Sequence, residues 1–175
     1  MLPGHKSAFV LVISGSMGSG KTTVLGEASD ILTEAGIPHA AIDLDALGVS
    51  YVPQAAGDDL MMRNLTAVWN TYATAGISRL LIADAVDSLA AYEEIRRAVP
   101  DAGEVIVCRL RASLDTMRQR IRVREPGMLQ EKFVTRVAEL EASLDATGVE
   151  DFSVDNDSGS VTDVAREVLV RAGWL

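Results

Sequence analysis

The sequence contains one cysteine, few aromatic residues and no long apolar run. Cys108 has no second thiol with which to form a disulfide inside the chain, so a reducing compartment is expected. No apolar stretch approaches the roughly 20 residues that a membrane-spanning helix needs. A signal peptide at the N-terminus would have to be cleaved inside a glycine-rich loop. We therefore expect a cytoplasmic protein without a membrane partner.

An excess of positive charge is also lacking. The chain has 25 acidic and 16 basic residues, which gives a formal net charge of -9. Nucleic acids and anionic membranes attract basic surfaces, so general nucleic-acid binding is not expected. The 48% hydrophobic content is that of a folded protein. Its 175 residues fit one domain, residues 1–175, which we expect to be a monomer or a homodimer.

Short apolar runs alternate with longer amphipathic stretches along the whole chain. This pattern predicts an α/β fold in which helices cross between parallel strands. The predicted strands lie at 8–14, 38–43, 79–84, 104–110 and 151–154. The predicted helices lie near 20–35, 58–75, 89–99, 113–124, 130–146 and 161–172.

A glycine-rich loop follows the first predicted strand. Residues 15–22, GSMGSGKT, satisfy the pattern G-x-x-x-x-G-K-[ST], with a strand before the loop and a helix after it. In such a loop the backbone N–H groups bind phosphate oxygens, the lysine adds positive charge, and the threonine hydroxyl can coordinate Mg2+. The predicted nucleotide-binding residues of the loop are Gly15, Ser16, Met17, Gly18, Ser19, Gly20, Lys21, Thr22 and Thr23. The loop therefore predicts a site for ATP and Mg2+.

Carboxylates end two of the predicted strands. Asp43 and Asp45 follow the second strand, where one of them can orient an acceptor and take the proton of its hydroxyl. The alternative role is to cap the next helix. Asp84 ends the third strand and is the predicted support for Mg2+, with Asp87 as the alternative. Because ligands gather at the carboxyl ends of parallel strands, these side chains should lie near the glycine loop.

Arginines are concentrated on the helix that follows the fourth strand. Arg118 and Arg122 lie on one flank of its apolar stripe, and Arg120 and Arg124 lie on the other. Arginines four residues apart repel one another unless an anion or a carboxylate lies between them. We therefore predict a lid at about 118–132, in which Arg118, Arg122 and Arg124 are catalytic and Arg118 also contacts the nucleotide. The alternative is a solvated face paired with acidic side chains.

Two further arginines lie outside this helix. Arg63 follows the carboxylates of the second strand along the chain, and Arg136 lies on the helix after the predicted lid. We predict that both bind an anionic part of the acceptor, although each alone is more commonly a surface residue. The loop at 47–59 is a second candidate for a lid, since binding loops often follow chemical residues.

The order of these features resembles the small P-loop kinases of the shikimate, gluconate, nucleoside monophosphate and adenylyl-sulfate type. The segments DLD at 43–45, DDLMMRNL at 58–65 and DTMRQRIRVREPG at 115–127 resemble adenylyl-sulfate kinases. Residues 152–173, FSVDNDSGSVTDVAREVLVRAG, resemble the final strand, base-side loop and closing helix of the group, which implies that Asn156 and Gly159 lie near the base. Where adenylyl-sulfate kinases have a serine-proline after the third strand, this chain has ADAVDS.

The residues and the resemblance together predict a three-layer α/β/α P-loop NTPase fold with a five-stranded parallel sheet in the order 2-3-1-4-5. They predict transfer of the γ-phosphoryl group of ATP to a hydroxyl of a small-molecule acceptor, with Mg2+ as cofactor. A nucleoside or nucleotide kinase is one alternative, and an ATP-binding regulatory protein without turnover is another. Slow GTP hydrolysis is less favoured, because the sequence has no N-K-x-D motif.

Overall fold

A five-stranded parallel sheet organises the chain. The computed structural model describes residues 7–50 and 60–175. The strands are β1 (Ala8–Ser14), β2 (Ala40–Asp43), β3 (Arg79–Ala83), β4 (Ala102–Arg111) and β5 (Phe152–Asp155). Their order is β2-β3-β1-β4-β5, and every neighbouring pair is parallel. The predicted sheet and strand order are thus confirmed.

Helices connect the strands. Within the described residues they are α1 (Lys21–Glu34), α2 (Leu44–Leu47), α3 (Leu60–Thr74), α4 (Leu89–Ala98), α5 (Leu114–Arg124), α6 (Gln130–Thr147) and α7 (Val161–Arg171). None of these helices is long and apolar enough to cross a membrane. The short α2 is absent from the list of predicted helices, because four residues are too few for a helical period to be recognised. A helix at this point was implied by the alternative in which Asp43 or Asp45 is a helix cap, and Asp43 is indeed its N-cap. Residues 51–59 of the second lid candidate lie outside the described residues.

The sheet is covered on both faces, which gives the three layers that were predicted. On one face α1 and α7 pack against Leu11, Ile13 and Cys108. On the other face α3 and α4 pack against Val10, Val12 and further strand residues. Because both faces are buried, the strands β1 and β3 consist mostly of apolar residues. The polar groups that remain are concentrated at the strand ends.

A buried arginine fixes the position of α6. Arg109 on β4 is 1% exposed, and its guanidinium lies 2.9 Å from the carboxylate of Glu141 and 2.8 Å from that of Asp145, both on α6. Glu150, which follows the helix, lies 3.5 Å from the same group. At the end of α6, the hydroxyl of Thr147 donates to the carbonyl of Asp87, 2.6 Å away in the β3–α4 loop. The second half of α6 is therefore held near the carboxyl ends of β4 and β3, the two strands that flank β1.

Candidate active site

The glycine loop joins β1 to α1 in a conformation that only glycine adopts readily. Gly18 has φ of 78° and Gly20 has φ of 98°, both in the left-handed region. A Cβ on Gly18 would lie 2.5 Å from the carbonyl oxygen of Met117 on α5, so a side chain there would collide with backbone. Both glycines are therefore required by the shape of the loop.

The loop has the polar groups that a phosphate chain needs. The ammonium of Lys21 donates to the carbonyl of Ser16 at 3.1 Å, which closes the loop on itself. The hydroxyl of Ser19 is buried and has no hydrogen-bond partner among the described residues. A buried polar atom without a partner is costly, and it is commonly explained by a ligand or water. The left-handed glycines, the lysine and the orphaned hydroxyl all fit a bound triphosphate.

The helices α5 and α6 lie over the loop. Met17 packs into a small apolar cluster with Met117, Ile121 and Val137. The hydroxyl of Ser16 donates to the carbonyl of Val137 at 3.3 Å. The predicted lid helices are thus attached to the loop through both an apolar contact and a hydrogen bond.

The two aspartates of β2 have different partners. Both carboxylate oxygens of Asp43 are engaged, one accepting from the hydroxyl of Thr22 at 2.6 Å and the other from the backbone N–H of Asp45 at 3.1 Å. Asp43 is therefore the N-cap of α2 and at the same time a partner of the predicted Mg2+ ligand. Burial lowers the pKa of the Lys21 ammonium, and the carboxylate of Asp45 is the largest charge effect that opposes this shift. The structure thus separates two residues that the sequence left equivalent.

Asp84, Asp45 and Lys21 form an interacting group at the strand ends. Burial raises the pKa of Asp84 to about 6; the N–H of Ala85 and the ammonium of Lys21 lower it, and Asp45 raises it. Burial likewise lowers the pKa of Lys21, against the opposing effect of Asp45 and Asp84. Such shifts are common where charged groups converge on a ligand site. The carboxylates and the hydroxyl of Thr22 offer the oxygen ligands that suit Mg2+.

A cleft of about 640 Å³ lies beside the loop. It is bounded by the loop, by α5 and by the turn between β5 and α7. The predicted residues that line it are Gly18, Gly20, Thr23, Arg124, Asn156 and Gly159. Other lining residues are Thr116, Gln119, Arg120, Val123, Asp157 and Val161. Its position suits the base and ribose of a nucleotide whose phosphates lie on the loop.

The arginines of α5 occupy two flanks, as their spacing predicts. Arg120 and Arg124 face the cleft, and Arg124 is near enough to Lys21 to lower the pKa of its ammonium. Arg118, on the other flank, has its guanidinium 3.9 Å from the carboxylate of Asp115. Arg122 is exposed, and its carbonyl accepts from the side chain of Gln130. The cleft therefore contains one of the three arginines predicted as catalytic.

The remaining predicted acceptor residues, Arg63 and Arg136, lie on α3 and α6. Arg63 is exposed on the first turn of α3. Arg136 is exposed on α6, where it borders a shallow depression with Glu131, Lys132 and other α6 side chains. Arg136 lies two helical turns before Ser143, whose hydroxyl donates to the carbonyl of Asp87 at 3.4 Å. Neither Arg63 nor Arg136 is among the residues that line the cleft beside the glycine loop.

Sequence reasoning missed the role of Arg120. Its guanidinium donates to the carbonyl of Gly18 at 3.4 Å and to the carbonyl of Asn156 at 2.8 Å. The sequence offered four similar arginines on one helix, and their spacing gives the flank but not the partner. Only the placement of the β5–α7 turn against the loop distinguishes Arg120 from the others.

Comparison with known proteins identifies the fold. No protein-family model matches the sequence, and the search of curated proteins finds no match. A gluconokinase from Sinorhizobium meliloti is similar with a TM-score of 0.59 and 20% identity, over 97% of this chain and 93% of that one. An APS kinase from Mycobacterium tuberculosis, solved with AMPPNP and APS, has a TM-score of 0.60 and 23% identity over 94% and 96%. A tunicamycin resistance protein from Deinococcus radiodurans has a TM-score of 0.67 and 16% identity over 97% and 98%. The predicted resemblance to small P-loop kinases is confirmed for the fold.

Proposed function

We propose that this chain, with the fold of the small P-loop kinases, transfers the γ-phosphoryl group of ATP to a hydroxyl of a small-molecule acceptor. The observation that carries the proposal is the 2.6 Å contact of Thr22 with Asp43, which joins the glycine loop to a second strand end. A protein that only binds ATP needs the glycine loop, but it does not need a group of carboxylates at the neighbouring strand ends. A cytoplasmic location and the absence of a nucleic-acid partner are part of the proposal.

Different residues are assigned to triphosphate binding, to Mg2+ binding and to removal of the acceptor proton. Lys21 and the loop N–H groups bind the triphosphate, while Thr22 and Asp84 hold Mg2+, with Asp43 orienting Thr22. When bound, Mg2+ neutralises charge on the β- and γ-phosphate oxygens. Asp45 is assigned as the general base, because both oxygens of Asp43 already accept hydrogen bonds.

Phosphoryl transfer exchanges one bond of the γ-phosphorus for another. The acceptor oxygen forms a bond to the γ-phosphorus while the bond to the β–γ bridging oxygen breaks, which leaves ADP. The hydroxyl proton passes to the carboxylate of Asp45. Lys21 and the arginines near the loop stabilise the charge that develops on the transferred group. Arg63 and Arg136 are assigned to an anionic part of the acceptor, Arg118 and Arg122 to the moving lid, and Arg124 to the phosphates.

The alternative of a nucleoside or nucleotide acceptor has less support. Such an acceptor needs aromatic side chains on which its base can stack. Trp69 on α3 is 2% exposed and belongs to the core, so it is not available for that purpose. Tyr72 is exposed three residues later on the same helix. Between residues 43 and 75, Tyr72 is thus the one exposed aromatic side chain in the part that the structure describes, so we favour a small hydroxyl compound such as a sugar acid or a polyol.

The test is ADP release from ATP and Mg2+ with a panel of hydroxyl metabolites, sugars, nucleosides and nucleoside monophosphates. We expect one acceptor class to raise the rate, Asp45→Asn to lower that rate by about 10² to 10⁴, and Lys21→Ala to abolish it. Full activity in Lys21→Ala would contradict the mechanism. Tight ATP binding with no acceptor effect would favour the regulatory alternative.

A further inference from the structure

The glycine loop is held from outside by the turn that follows β5. The side-chain amide of Asn156 donates to the carbonyl of Ser19 at 2.7 Å. The carbonyl of Asn156 itself accepts from Arg120 at 2.8 Å, and the same guanidinium reaches the carbonyl of Gly18 at 3.4 Å. Three segments that are far apart in the sequence are thereby joined around one side of the loop.

The backbone around Asn156 is held in place by several hydrogen bonds. Its backbone N–H donates to the carbonyl of Arg111 at 2.7 Å. The following residue, Asp157, accepts from both the backbone N–H and the hydroxyl of Ser113 at 2.9 Å. The turn is thus attached to the start of α5 as well as to β4. Because these hydrogen bonds fix the backbone at Asn156, its side chain has little freedom to follow a movement of the glycine loop.

The loop is shaped to receive this amide. A Cβ on Gly20 would meet the side-chain nitrogen of Asn156, and Gly20 has φ of 98°. The absence of a side chain at position 20 therefore serves the contact with Asn156 as well as the turn of the loop.

Holding one end of a peptide unit sets the direction of the other end. The carbonyl of Ser19 and the N–H of Gly20 belong to the same peptide unit, and in a trans peptide these two groups point in opposite directions. By holding the carbonyl of Ser19 outward, Asn156 directs the N–H of Gly20 away from itself, toward the inside of the loop. Inward N–H groups are what such a loop uses to bind phosphate.

We propose that Asn156 is a positioning residue for the glycine loop, and that it contributes to nucleotide binding through the phosphates and not through the base. The inference rests on the proposed function only in taking a triphosphate as the ligand of the loop. It differs from the expectation that Asn156 acts as part of the base pocket, which its place in the cleft alone would suggest.

A ligand without a base separates the two roles. Binding of ATP and of inorganic tripolyphosphate, each with Mg2+, is measured by calorimetry for the wild type, Asn156→Ala and Asn156→Asp. We expect Asn156→Ala to weaken both ligands by the same factor, about three- to tenfold for one hydrogen bond. Asn156→Asp should weaken both further, because its carboxylate faces the carbonyl of Ser19 and lies near the phosphates.

The matched control is Asn64→Ala. The amide of Asn64 also donates to a backbone carbonyl, that of Leu47 at 3.0 Å, and this contact follows β2, at the opposite edge of the sheet from β5. This variant should bind both ligands as the wild type does. Thermal unfolding of each variant establishes that it is folded under the assay conditions.

Hydrogen exchange of the free protein gives a readout that needs no ligand. Peptides covering residues 15–24 should exchange faster in Asn156→Ala than in the wild type or in Asn64→Ala. Weakened binding of ATP with unchanged binding of tripolyphosphate would overturn the inference, and so would unchanged binding of both. If the wild type bound neither ligand, the proposed function would fail, while the exchange rates would still decide whether Asn156 positions the loop.

Discussion

Asp84 should make Mg2+-dependent nucleotide binding sensitive to pH. Burial raises the pKa of this carboxyl from an ordinary 3.8 to about 6, so it is about 90% ionised at pH 7 and about 10% ionised at pH 5. Only the ionised form can support Mg2+. We therefore expect the gain in ATP affinity that Mg2+ provides to fall by about tenfold between pH 7 and pH 5. In Asp84→Asn the gain should be small at both values of pH.

The same shift predicts an opposite effect on stability. A carboxyl whose pKa is raised by folding favours the folded state while it is protonated, and this stabilisation is lost as the pH rises from about 4 through about 6. The loss is at most about 3 kcal/mol, and the part of the carboxyl that water reaches makes it smaller. Asp84→Asn cannot ionise, so it should be more stable than the wild type at pH 7 although it binds Mg2+ less well.

The assay is calorimetric titration with ATP, with and without Mg2+, between pH 5 and pH 8, with urea unfolding at the same values. The ratio of wild type to Asp84→Asn removes the protonation of the nucleotide itself. Asp87→Asn is the control: Asp87 is a lesser cause of the raised pKa of Asp84, so this variant should keep the Mg2+ effect with an inflection at slightly lower pH. A pH-independent Mg2+ effect, or one that survives in Asp84→Asn, would refute the assignment.

Two further substitutions test the architecture of the site. Gly18→Ala would place a Cβ 2.5 Å from the carbonyl of Met117 at a left-handed φ of 78°, so it should cost about 1–3 kcal/mol in urea unfolding and weaken ATP binding; wild-type values would contradict the closed loop. Arg109→Met should lower the free energy of unfolding by about 3–5 kcal/mol, because it leaves Glu141 buried without its partner. Replacing Glu141 by Leu in the same chain should recover much of that loss, and failure to recover it would mean that the ion pair is not the cause.

The fold was accessible from the sequence because its signals are local and repeated. The strands β1 and β3 are short apolar runs, since both of their faces are buried, and several crossover helices begin at a recognisable capping residue. Ser88, Ser113 and Ser160 cap α4, α5 and α7 with their hydroxyls. Burial is less complete at the start of α5: Leu114 lies three residues before the buried Met117, on the same apolar side of the helix, but it is 37% exposed on the first turn.

The site was only partly accessible, because most of its contacts join distant segments. The glycine loop is contiguous and could be read directly from eight residues. The pairing of Asp43 with Thr22 spans 21 positions, and the contact of Asn156 with Ser19 spans 137. The spacing of residues along the chain does not give the distance between their side chains in the fold. The sequence predicted that carboxylates lie at the strand ends, and it left open which of them are in contact.

The helix α6 contacts the glycine loop, the strand β4 and the loop that follows β3. Its Val137 carbonyl accepts from Ser16 of the glycine loop, its Glu141 pairs with Arg109 of β4, and its Thr147 binds the carbonyl of Asp87 beyond β3. These contacts span ten residues, or about 15 Å of helix. If the predicted lid moves, its movement at the start of α6 will either bend the helix before Val137 or displace the glycine loop. Because the ion pairs of Arg109 oppose movement of the second half of α6, we expect the helix to bend before Val137.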